Sequence, residues 1–117
     1  MGSFVYYYSI AKMVRLVDGE NAFEGRIEVF LQGEWGTVCN DNFDQREANV
    51  VCKMMGFRRA RRYFNARANF KIGSGKIWLD NLKCNGYESS IFECEHGGIG
   101  IHNCEHIEDI AVICKRK

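Results

Sequence analysis

The sequence predicts a single α+β domain held together by disulfides. Three observations carry that reading. One segment, Asp44 to Met55, places apolar residues at helical spacing; three short segments alternate with a period of two; and six cysteines spread along 117 residues form no Cys-x-x-Cys pair. An even cysteine count without metal-ligand spacing reads as disulfides, and disulfides belong to an oxidising compartment. At 46% hydrophobic the chain is too apolar for disorder, and its length suits one core. No apolar run approaches the roughly 18–20 residues of a membrane-spanning helix. A net charge of +1 excludes a uniformly basic nucleic-acid binder.

Taken in order, residues 1–13 read as a tag, a linker remnant or an extra strand. They lack the basic start, long apolar stretch and cleavage site of a secretory signal, so the chain reads as one domain, 14–117, of a larger extracellular protein. From Arg26 to Leu31, Ile27, Val29 and Leu31 face one way and Arg26, Glu28 and Phe30 the other, the pattern of a half-buried strand. Gln32-Gly33-Glu34 then turns the chain as a three-residue loop into a second strand, Trp35 to Cys39. Asp44 caps the helix and Glu47 completes a capping box. Ala48, Val51, Cys52 and Met55 form its apolar stripe, and Gly56 supplies the left-handed stop. Lys76 to Asp80 reads as a short strand, Ser90 to Glu93 as a capped helical turn, Gly97 to Gly100 as a loop, and Ile110 to Cys114 as the closing strand.

Enzyme motifs are missing. There is no nucleophile elbow, phosphate-cradling loop or dinucleotide fingerprint. His102 and His106 are four apart, but Glu105 stands at the wrong position for a zinc-protease helix. Both read as ordinary loop histidines. The charges say more. Arg58, Arg59, Arg61, Arg62, Arg67, Lys71 and Lys76 follow one another with no acid between Phe57 and Leu79, whereas seven acids from Asp80 to Asp109 face only Lys83. Such segregation puts a concentrated positive field on one face of a nearly neutral molecule. Arginine's planar fork suits sulfate, phosphate and carboxylate. The bland reading is a solvated basic loop paired with the acids downstream. Asp41, Asp80, Glu108 and Asp109, with the carbonyls of Asn40, Asn81 or Asn103, are hard oxygen donors suited to calcium; the bland reading there is ordinary turn carboxylates.

These segments together resemble a known family. Val14-Arg15-Leu16-Val17, Glu24-Gly25-Arg26-Ile27-Glu28-Val29, Trp35-Gly36-Thr37-Val38-Cys39, Gly75-Lys76-Ile77-Trp78-Leu79-Asp80 and Glu108-Asp109-Ile110-Ala111-Val112-Ile113-Cys114 occur in the order of the scavenger receptor cysteine-rich (SRCR) domain. The six-cysteine pattern resembles its group A. The resemblance implies a curved antiparallel sheet cradling one helix, and three disulfides: Cys39 with Cys104, Cys52 with Cys114, Cys84 with Cys94. In the chain-entropy model the first two stabilise by roughly 4 kcal/mol each and the third by about 2.5–3.

Domains of this family are binding modules, found in scavenger receptors, mucosal agglutinins and as accessory domains of secreted proteases and lysyl-oxidase-like enzymes. The resemblance implies one or two calcium sites, the first from Asn40, Asp41 and Glu108, the second from Asp80, Asn81 and Asn103. Two aspartates usually follow the first cysteine where this chain has Asn40-Asp41, and Asn81 replaces a frequent aspartate. Each change removes a negative charge and lowers the affinity expected for calcium. The arginine stretch resembles the basic cluster of collagenous macrophage receptors. The expectation is therefore an extracellular, non-catalytic module that binds polyanions (microbial polymers, modified lipoproteins, sulfated glycans) through Arg58, Arg59, Arg61, Arg62 and Arg67. It has no dedicated nucleic-acid reader, and its parent is expected to be multivalent, oligomeric and in some settings membrane-anchored. The alternative is an accessory domain that binds a protein partner.

Overall fold

The long strand at the centre is β2 (Glu24–Leu31). It pairs along one side with β1 (Val14–Asp18), a strand the sequence reading did not assign. Its other side is shared by two strands end to end: β3 (Glu34–Val38) opposite residues 28–31 and β6 (Ile110–Cys114) opposite residues 24–26. β4 (Ala60–Asn65) adds to β6 and β5 (Lys76–Leu79) to β3, giving the order β4-β6-β2-β3-β5 with β1 alongside β2. The computed structural model describes residues 13–116; apart from Met13, the reading of residues 1–13 falls outside them.

The sheet curls around α1 (Gln45–Met54), as the resemblance implied. One pairing departs from an antiparallel sheet: β3 and β5 run parallel, Gly36 opposite Lys76. A long crossover through α1 and β4 separates them and returns the chain in the same direction, which a tight turn cannot do. Gly36 also permits the close approach of β5, since a Cβ there would collide with Cδ1 of Trp78.

The β2–β3 turn is one residue shorter than expected. Leu31 pairs with Glu34, leaving Gln32 and Gly33 as a two-residue loop with φ of 51° and 81°. Positive φ at both positions is the turn whose twist matches a hairpin. The helix follows its local signals. Asp44 accepts from Arg46 N–H, Glu47 accepts from Asp44 N–H (2.8 Å), and Gly56 takes φ of 94°. Ala48, Val50, Val51 and Cys52 are fully buried against Ile27, Val29 and Val112.

The disulfides are Cys39–Cys104, Cys52–Cys114 and Cys84–Cys94, with sequence separations of 65, 62 and 10 residues and no free cysteine. The second fastens the helix to β6, so α1 and the closing strand cannot separate.

The polar face of β2 is buried, not solvated. Arg26 and Glu28 are only 5% and 6% exposed. Arg26 holds Glu28 (3.0 Å), Asp18 (2.7 Å) and the carbonyl of Lys71 (2.6 Å), while Arg15 grips the other oxygen of Glu28 (2.7 Å). Burial opposes the Arg26 charge, but the hydrogen bonds and charges of Asp18 and Glu28 outweigh it, raising its pKa. A buried cluster of this kind persists only because each member is paired.

Candidate functional site

Two charged regions stand out. The first is acidic and lies where β3 and β5 end. After β3 the chain runs Cys39-Asn40-Asp41-Asn42; after β5 it runs Asp80-Asn81. The Cys39–Cys104 disulfide carries Asn103 to the same place, and the turn His106–Glu108 precedes β6 beside it. Asn42 and Asn81 both adopt positive φ (62° and 57°), which asparagine tolerates better than most residues.

Within this region the expected ligands regroup. The amide of Asn103, with its nitrogen turned inward, donates to Asp41 Oδ2 (3.0 Å) and Asp80 Oδ2 (3.2 Å); with its oxygen inward, three oxygens converge. Asp41, Asp80 and Asn103 therefore form one cluster, although the resemblance divided them between two sites. The carboxylate of Glu108 reaches within 4.8 Å of that of Asp41, against the Cys39–Cys104 disulfide. Asn40 is turned aside: its amide donates to Asn65 Oδ1 (2.7 Å), while its backbone N–H binds the Glu108 carbonyl (2.9 Å). Asn81 Oδ1 accepts from Asn42 (2.7 Å). Asp80 is buried, and its other oxygen accepts from Asn81 N–H (2.8 Å). Burial, then the charge and hydrogen bond of Asp80, raise the Asp41 carboxyl above the ordinary aspartate range. Repelling carboxylates beside an amide oxygen are a hard-oxygen donor set, which fits a divalent cation such as calcium.

Asp109 serves the fold. It is fully buried, accepts from Gly73 N–H (2.7 Å) and faces His106 Nδ1 (3.0 Å). His106 Nε2 lies 3.0 Å from the Gly75 carbonyl, and His102 Nδ1 accepts from Cys104 N–H. Both histidines are thus engaged in loop hydrogen bonds.

The second region is the arginine band. Arg58, Arg59, Arg61, Arg62 and Arg67 are all exposed, and none joins an ion pair among the described residues. Arg58 and Arg59 precede strand β4, Arg61 and Arg62 lie on it, and Arg67 sits in the short turn Ala66–Ala68 that follows. Ala60 opposes Cys114 and Arg62 opposes Ile113, so Arg61 is the extra residue of a bulge. A bulge re-aims side chains. Arg59 and Arg61 line one depression with Phe23, Cys114, Lys115 and Arg116; Arg62 and Lys71 line another that also holds Asp18, Glu20 and Glu24. The Arg62 guanidinium lies 5.1 Å from the Phe64 ring centroid. The sequence reading passed over Lys115 and Arg116, and a basic pair directly after the closing strand is the signal that marks them.

A small curled sheet closed on one helix by three disulfides, with its charge gathered into opposed patches, defines an extracellular binding module. The scavenger receptor cysteine-rich domain model matches residues 17–115, and the chain belongs to that family. Over 102 residues it is 46% identical to the human protein CD5 antigen-like, a match covering 86% of this chain and 29% of that protein. Similar solved structures include two SRCR domains. The SRCR domain of mouse MARCO, in its dimeric form, shares 42% identity over 91% of this chain and 98% of that one, with a TM-score of 0.73. The third SRCR domain of murine neurotrypsin shares 47% identity over 86% and 94%, with a TM-score of 0.74. No helix among the described residues is long and apolar enough to cross a membrane.

Proposed function

We propose that this domain recognises polyanionic ligands, and that calcium at Asp41, Asp80, Asn103 and Glu108 supports the loops beside the site. The observation carrying the proposal is that the five arginines from 58 to 67 are exposed without ion pairs among the described residues. Exposed, clustered cations that join no ion pair draw anions by their combined field. One domain offers few contacts, so useful avidity comes from several copies in an oligomeric parent. The dimeric form of the MARCO domain supports such pairing here.

Salt titration tests the proposal. Binding to immobilised heparin should weaken about tenfold or more over a few-fold rise in salt, by counterion release. Binding that ignores salt, or that survives alanine at all five arginines, overturns it. A protein-binding accessory role is favoured by one specific feature: Tyr87 and Ile101 are 88% and 64% exposed, and large exposed side chains of this kind are common anchors of protein interfaces.

A further inference from the structure

We infer that Asn85 is a site of spontaneous, backbone-assisted deamidation held in check by the Glu88 carboxylate, and that its conversion dismantles the loop presenting Tyr87. The inference stands apart from the polyanion and calcium readings.

Asn85-Gly86 is the only Asn-Gly pair in the sequence. In such a pair the next backbone nitrogen reaches the asparagine side chain easily, because glycine has no Cβ to obstruct it or restrict the backbone. The Gly86 nitrogen loses its proton and attacks Cγ of Asn85. A C–N bond forms, the bond from Cγ to the side-chain nitrogen breaks, and that nitrogen takes up a proton and leaves as ammonia. Water then opens the cyclic imide at either carbonyl. The product at position 85 is aspartate or its β-linked isomer, isoaspartate. Water is the only co-reactant, and Asn85 is exposed to it.

The loop opposes the first step. Gly86 N–H donates to Glu88 Oε1 (3.0 Å), and Asn85 N–H donates to Glu88 Oε2 (2.9 Å). The attacking nitrogen is thus tied to a negative charge, which disfavours the anion it must become. The Asn85 side chain is pinned as well, its Oδ1 accepting from Tyr87 N–H (2.8 Å). The hydrogen bond from Asn85 N–H, with those of the following amides, holds the Glu88 carboxyl below the ordinary glutamate range, so the guard stays charged near neutrality. Bracing extends around the loop. Cys84–Cys94 closes its base, Lys83 and Glu95 exchange backbone hydrogen bonds (2.8 and 3.2 Å), and Lys53 Nζ on α1 donates to the Gly86 carbonyl (2.9 Å). Reaction therefore waits on local opening, which such bracing makes rare.

The product does not fit this arrangement. A carboxylate at position 85 stands beside Glu88, and neighbouring like charges repel. Isoaspartate also inserts an extra main-chain carbon, so the N–H groups of Asn85, Gly86 and Tyr87 cannot all keep their partners. What those bonds hold in place is Tyr87, 88% exposed and of a residue type enriched at protein interfaces. The loop so carries a chemical clock that runs only when the guard is lifted.

The experiment incubates the whole domain at mildly alkaline pH beside the same chain reduced and alkylated. Peptide mapping with isoaspartyl labelling follows each asparagine. The reduced chain should convert at Asn85 ahead of every other asparagine, and the folded domain about a hundredfold more slowly. Glu88→Gln keeps the shape and removes the charge, and should recover about tenfold of that speed. Hydrogen exchange at the Gly86 amide of the unmodified domain reads the same proton loss without any variant, and should be slowed by about tenfold or more. Chymotrypsin should cut the aged domain at Tyr87 faster than the fresh one, with no such change in Asn85→Ser. Conversion of the folded domain at the rate of the reduced chain, or an unprotected Gly86 amide, overturns the guard. So does a Glu88→Gln variant that melts like the unmodified domain and converts no faster. Earlier conversion of another asparagine in the reduced chain overturns the site, and unchanged cleavage at Tyr87 overturns the consequence.

Discussion

Arg26 and Arg61 are one side chain under two conditions. Arg26 lies on a central strand, 5% exposed, between Glu28, Asp18 and the Lys71 carbonyl. Arg61 lies on an outer strand at a bulge, exposed, with no ion pair among the described residues. The first arginine is committed to holding β1, β2 and the segment after Phe70 together; its charge is invisible from outside. The second contributes little to the fold and leaves its charge open to a ligand. The contrast teaches that a count of basic residues does not measure a basic surface, because pairing decides which cations remain available.

Replacing Arg26 should give the largest effect. Arg26→Ala leaves Glu28 buried with only Arg15 and removes the clamp on Lys71; a cost of about 3–5 kcal/mol is expected in urea denaturation. A cost below about 1 kcal/mol would erase the distinction between the two arginines. Calcium comes next and extends the comparison to the acids. Saturating calcium should stabilise the domain by about 2.7 kcal/mol at a hundredfold excess over Kd. Asp41→Asn should abolish that response while costing little without calcium, because it removes a carboxylate that burial and then the charge of Asp80 both disfavour. An unchanged melting temperature with calcium and with chelator would retire the metal site.

Asp44 shows a smaller, pH-dependent effect. The Arg46 hydrogen bond, with those of Glu47 and the backbone, holds Asp44 down at about 2. A depressed carboxyl stabilises the fold fully above the ordinary aspartate range and loses that contribution as pH falls through about 2. The side chain is 40% exposed, so Asp44→Ala should cost about 1 kcal/mol near neutrality. Thermal melts across this acid range should fall more steeply for the unmodified domain than for the variant. The smallest effect belongs to the arginine band. Arg61→Ala/Arg62→Ala should change stability by less than about 0.5 kcal/mol while reducing heparin binding. A large loss of stability would return these residues to the class of Arg26.

What the sequence made legible was local. The helix declared itself because its cap, its stripe and its stop all lie within Asp44 to Gly56, and β6 and β5 showed their alternation directly. Two strands escaped. β4 did so because the bulge at Arg61 breaks period two just where the arginines look like a solvated loop. The buried pair Arg26 and Glu28 escaped for the opposite reason: regular alternation marks a polar face as solvated, and only the partners Arg15 and Asp18 on β1 reveal it as covered. The family resemblance supplied the disulfide pairing. The acidic cluster was legible as a set of residue types but not as a grouping. That Asn103 lies against both Asp41 and Asp80 depends on a crosslink spanning 65 residues, which no local pattern encodes.

β4 also ends the sheet, pairing among the described strands only with β6. At Ala60 the helix plugs its outer rim: Gln45 Nε2 donates to the Ala60 carbonyl (2.9 Å), and Asn49 Oδ1 accepts from the Ala60 N–H (2.9 Å). Beyond Ala60 the rim would be a template for self-association, were Arg61 and Arg62 not mounted on it. Two copies meeting there rim to rim would set cation against cation. On the polyanion reading proposed above, an anionic polymer threaded between them would reverse the sign of that encounter, and charges that oppose a bare meeting of two copies would become the means of crowding them along a shared strand of ligand.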